Sequence, residues 1–165
     1  MIPIGDVIPT RTPPVLTIAL IALTVVVSTQ AVAIGMGIVL FNMLFLWLFG
    51  WTVEDRLGHG RFAALYVITA ATAFAASTPL VAVSSAVGSI AGAYFALYPK
   101  SSMLVLIPVP LSVVEIPAAV FLALWCLLQL LTGIFAVPFV SFFAGAALCI
   151  LIRRPERVRV EWWSP

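Results

Sequence analysis

From Val15 to Trp51 the chain carries no Asp, Glu, Lys or Arg. Apolar stretches this long belong in lipid. A membrane-spanning helix takes about 20 residues, so this run is too long for one span and suits two. The rest of the chain has the same character. Of its 165 residues, 64% are hydrophobic and 8% charged, and the mean hydropathy is +1.23. A water-soluble domain of this size needs about a quarter of its residues charged. The apolar runs leave room for six spans and little else. The expectation is therefore one all-α integral membrane domain over residues 1–165, with no separate soluble domain.

Punctuation places the spans. The first two cover 14–29 and 33–51, turning at Ser28-Thr29-Gln30, with Gly35 and Gly37 as the second choice. A charged loop follows from Glu54 to Arg61. The third span is 62–76, ended by Ser77-Thr78-Pro79. The fourth is central and the shortest, 84–98, and stops at Pro99-Lys100. The fifth is 117–131 and the sixth 135–152, with a turn at Thr132-Gly133. The segment from Met103 to Val114, broken by Pro108 and Pro110, is too short to span, and reads as an interfacial or re-entrant path. Residues 1–12, with Pro3, Asp6, Pro9 and Arg11, lack the pattern of a cleavable signal.

Charge tests this topology. With six spans, both termini and the 2–3 and 4–5 loops share one side. Arg11, Arg56, Arg61, Lys100, Arg153, Arg154, Arg157 and Arg159 all fall there, and the other loops carry no basic residue. The positive-inside rule makes that side cytoplasmic. Asp6, Glu54, Asp55, Glu115, Glu156 and Glu161 lie on it too, which leaves the outer half without an ionisable acid or base. Trp51, Trp162 and Trp163 stand near span ends, where interfacial rings belong.

Several function classes drop out. A net charge of +2 is too small to argue for nucleic acid. No internal repeat points to a transporter of inverted halves, and no ionisable residue within a span marks an ion path. Cys126 and Cys149 lie in apolar runs and read as small apolar residues, so no metal site is expected. No span holds a histidine to ligate a haem or chlorophyll, and no cofactor is expected.

Three stretches carry a family likeness: Asn42 through Gly50 with Val53 through Phe62; Ser84 through Tyr94; and Glu115-Ile116-Pro117 through Trp125 to Leu131. Together with the opening Ile8-Pro9-Thr10-Arg11, they resemble the rhomboid family over most of the chain. The resemblance implies a six-helix intramembrane serine protease fold. It also implies a site: a serine in Gly-x-Ser-Gly on helix 4, a histidine base on helix 6, and a His and an Asn four residues apart on helix 2 that stabilise the oxyanion. Such a dyad works because imidazole takes the serine proton at neutral pH.

This sequence departs from that pattern. Ser84 takes the nucleophile position, but Ala82 and Ser85 replace its glycines. Asn42 takes the oxyanion position, and Ile38 stands where its histidine partner would be. The helix 6 signature, His-x-x-Gly-Phe-x-x-Gly, aligns on Phe142 and Gly145, putting Pro138 at the catalytic histidine and Ser141 at the first glycine. His59, the chain's one histidine, reads as a solvated loop residue on the cytoplasmic side. Lys100 is sixteen residues past Ser84, about 24 Å along a helix. Ser84 then reads as a small polar residue at a tight helix contact, and Asn42 as an interhelical hydrogen-bond donor worth about 1 kcal/mol.

What persists is packing. Ser84, Gly88 and Gly92 recur every four residues on one face, and Ser141 and Gly145 do the same on the last span. Such spacing lets helix backbones approach closely. The resulting expectation is a catalytically inactive rhomboid-like protein of a bacterial inner membrane, both termini cytoplasmic. It would bind transmembrane helices of partner proteins, as an assembly factor or a subunit of a larger complex. The competing readings are an active protease with Ser84 as nucleophile, and a lipid- or cofactor-binding membrane protein.

Overall fold

The computed structural model describes residues 2–6, 13–28, 36–75, 79–108, 111–132 and 136–153. The helices are α1 (Val15–Ser28), α2 (Met36–Phe45), α3 (Trp51–Leu57), α4 (His59–Phe74), α5 (Pro79–Leu97), α6 (Ala118–Thr132) and α7 (Ala136–Ile152). A π-helical turn, Leu46–Gly50, joins α2 to α3 in one continuous rod. Among the described residues the helices thus form six rods. By length and composition one of them, Gly37–Leu57, can cross a membrane; the apolar helices Val15–Val26, Val81–Leu97, Ala118–Leu127 and Phe139–Ile152 are shorter. The turns read at Thr29-Gln30, Ser77-Thr78 and Gly133, the N-terminal Ile8-Pro9-Thr10-Arg11, and residues 154–165 with Trp162 and Trp163 lie outside the described residues.

Three expectations need correction. The second span does not end at Trp51; its rod continues to Leu57 and takes in Glu54, Asp55 and Arg56. The fourth span is not the shortest. It opens at Pro79 and runs 19 residues, against 14 for α1. Proline suits the first helical position, where no N–H is needed, so it starts this helix rather than breaking the chain before Ser84. The fold is also not all-α. Strands β1 (Ile2–Asp6), β2 (Ser102–Pro108) and β3 (Leu111–Pro117) form an antiparallel sheet in the order β1-β2-β3. Val105, Ile107, Val113, Val114 and Ile116 supply the β-branched residues that favour extended backbone.

The helical core centres on α5, buried at every position over residues 82–94, and it packs most extensively on α7 and then on α4. Small residues make this possible. A Cβ added at Gly92 would overlap the Phe142 carbonyl oxygen and lie 2.7 Å from its carbon and 3.1 Å from the Ala146 amide nitrogen. One added at Gly145 would overlap the Ser89 carbonyl oxygen, 2.6 Å from its carbon. Gly88 and Ser141 are also buried. Between α4 and α5, the hydroxyls of Thr69 and Ser89 share a hydrogen bond of 2.9 Å.

Glu54 ties the first helix to the second rod. Its carboxylate is 1% exposed. Oε1 accepts the backbone N–H of Leu16 at 2.9 Å, and Oε2 accepts the N–H and the hydroxyl of Thr17 at 2.8 and 2.7 Å. These amides belong to the first turn of α1, whose N–H groups have no partner within the helix. A carboxylate there also meets the positive end of the helix dipole. His59 Nδ1 lies 2.7 Å from Oε1. So His59 is half exposed, as expected of a loop residue, yet it opens α4 and bonds to Glu54. Between them Gly58 adopts φ +79°, a conformation glycine takes without steric cost, and this lets α4 fold back from α3.

Candidate functional site

Two of the positions named from sequence meet. Asn42 on α2 and Ser84 on α5 are 5% and 6% exposed. The Asn42 Nδ2 group donates a hydrogen bond of 2.8 Å to the Ser84 hydroxyl oxygen. Because α5 begins at Pro79, Ser84 sits in its second turn rather than at its opening. Ala82 and Ser85 flank it, both buried, and the Ser85 hydroxyl donates to the Val81 carbonyl at 2.7 Å. Ile38 lies one turn before Asn42, half-buried. Position 138 is the third residue of α7. A proline in a first turn forfeits no helical hydrogen bond, so α7 accommodates Pro138 without a break.

The remaining ionisable residues named from sequence lie elsewhere. His59 is seventeen residues beyond Asn42 along nearly continuous helix, about 25 Å, and is engaged by Glu54. Lys100 is exposed just past the end of α5. A carboxamide bonded to a hydroxyl gives a polar link between two helices. It offers no proton acceptor, because an amide nitrogen carries no basic lone pair. Cys126 is half-buried and Cys149 buried, both as free thiols. Among the described residues no three His, Cys, Asp or Glu side chains cluster as metal ligands would.

One feature of this region escaped the sequence reading. One helical turn beyond Asn42 stands an aromatic cluster in which Phe45 meets Phe49 (ring centroids 5.2 Å apart), Phe121 (6.0 Å) and Trp125 (5.3 Å), while Trp125 also meets Phe142 (6.0 Å). Side chains rather than close backbones bridge α2 to α6. Trp125 is 7% exposed, and its indole N–H is buried without an acceptor among the described residues. Periodicity alone marks these rings as apolar; only the juxtaposition of three helices makes them one cluster.

A family model described as Rhomboid domain matches residues 15–152 of this chain. Neither the curated proteins nor the solved structures yield a significant match.

Proposed function

The chain belongs to the rhomboid family and is therefore an integral membrane protein, and from that premise we propose that it cuts no peptide bond and works by holding transmembrane helices of partner proteins. Its role is that of an assembly factor or a fixed subunit of a membrane complex. The observation that carries this reading is the state of the site. Asn42 is spent on Ser84 itself through the 2.8 Å hydrogen bond, and Ile38 and Pro138 stand where the family's imidazoles would. With neither imidazole present, a serine hydroxyl is a poor nucleophile at neutral pH. Helices α2 and α6 offer the lateral surface. Leu40, Phe41, Val120, Leu124 and Leu127 are exposed there.

Fluorophosphonate labelling tests it. The purified protein is expected to stay unlabelled and to leave a model transmembrane substrate intact. Co-purification of partners should be unchanged by Ser84→Ala and reduced by Leu124→Trp. Labelling or cleavage that disappears in Ser84→Ala would establish the alternative, an active serine protease.

The topology belongs to the same proposal: six spans in a bacterial inner membrane, both termini cytoplasmic. A cysteine at Gly60, where added side-chain atoms meet open space, should label from the cytoplasmic side. One at Gly133 should label from the opposite side, and labelling of both from one side would rule the topology out.

A further inference from the structure

We propose that the π-helical turn Leu46–Gly50 is a one-residue register device, which positions Asn42 on Ser84 while Glu54 holds α1. The inference concerns how the site is built and stands whether or not the site reacts.

The two polar groups that tie the central rod to its neighbours lie on either side of the turn. Asn42, before it, donates to Ser84 on α5. Glu54, after it, accepts from Leu16 and Thr17 on α1. Both side chains are buried. Twelve residues separate them. At about 100° per residue, an unbroken α-helix would turn the second about 120° away from the first. One of the two would then leave the bundle for lipid, where an unpaired polar or charged group is costly. A π turn takes in one residue more than an α turn, which absorbs about 100° of that rotation. Asn42 and Glu54 come to within about 20° of a common face. The helices they bind, α1 and α5, also touch each other, as neighbours on one face of the rod should.

The turn is packed in this form. Leu46, Leu48, Phe49 and Gly50 are buried, and Trp47 is its outward residue, 49% exposed. The Phe49 ring meets Tyr94 of α5, centroids 4.8 Å apart. A Cβ on Gly50 would stand 3.0 Å from both Thr17 Cγ2 and Thr17 Oγ1, so the rod passes α1 with no room for a side chain. The two ends are not held equally. Among the described residues, three hydrogen bonds to α1 secure Glu54 and one to α5 secures Asn42. A change of residue count inside the turn therefore moves α2 and leaves α3 in place.

The test changes that count in the full chain. Spin labels are placed on Leu40→Cys of α2 and Val67→Cys of α4, positions 59% and 60% exposed, in a Cys126→Ala background. Removing Leu48 converts the π turn to plain α-helix and keeps both polar groups on their face. That chain is expected to fold, to retain the parent's distance between the labels, and to exchange the Leu16 and Thr17 amides as slowly as the parent does. Adding one alanine after Leu48 turns α2 by about another 100°. The label distance should then shift by several ångströms while the two amides stay protected. Failure to fold, a shifted distance or fast amide exchange on removal of Leu48 would overturn the proposal. So would an added alanine that leaves the distance where the parent has it.

Discussion

Replacing Gly92 by leucine is expected to cost the folded bundle more than any other single change on α5, at least about 3 kcal/mol, beyond the 1–3 kcal/mol usual for overpacking. The first added atom already overlaps the Phe142 carbonyl, and both sides of the contact are main chain. No rotamer change relieves it; α5 and α7 have to separate. That separation would pull apart the most extensive helix pair of the bundle. In lipid no hydrophobic drive brings helices together, so close van der Waals packing is the main force lost. Gly92→Ala should already destabilise measurably, whereas Gly37→Ala, with open space around the new methyl, should change little. Thermal unfolding in detergent, followed by exposure of the buried Cys149 thiol, reads the effect. A Gly92→Leu protein that melts with the parent would show that the α5–α7 contact is not the tight one described.

Glu54→Ala should be the second large loss, about 3 kcal/mol or more, from three buried donors left without their acceptor. The alanine leaves the N–H groups of Leu16 and Thr17 and the Thr17 hydroxyl without their acceptor in a buried place, at about 1–3 kcal/mol for each group left unsatisfied. The damage should be local first. Hydrogen exchange at Leu16 and Thr17 should rise well before global unfolding, as α1 comes loose. Glu54→Gln keeps the shape and one acceptor oxygen, so it should fall between. His59→Ala should cost under about 1 kcal/mol, because that side chain is 52% exposed and such pairs are weak in water. Unchanged exchange at both amides in Glu54→Ala would remove the cap from the account of how α1 is held.

Much of the candidate site was readable before any coordinates. Asn42 and Ser84 could be named because the motifs around them are specific, and Ile38 and Pro138 because those motifs fix spacing. Their hydrogen bond was not readable. Whether two side chains 42 residues apart meet depends on the rotation of two helices about their axes, and an unbroken apolar sequence has too little amphipathic contrast to report that rotation. The role of Glu54 was hidden for a related reason. Next to Asp55 and Arg56 it reads as loop charge, and only the arrival of the α1 N-terminus, 37 residues upstream of it at Thr17, turns it into a buried acceptor.

By itself the sequence determined the solvent, the number of helical rods among the described residues, and the small residues needed for close contact. These follow from quantities local in the chain: transfer free energy summed over a run, and side-chain volume at a position. Tertiary structure decided the rest. Pro79 starts a helix rather than ending one, and helix persists through Glu54 because its carboxylate finds donors on another helix. Residues 102–108 and 111–117 pair as strands because backbone groups that leave a helix need partners, and a hairpin supplies them. The Glu54 outcome turns on hydrogen-bond partners distant in sequence, and no local pattern names them.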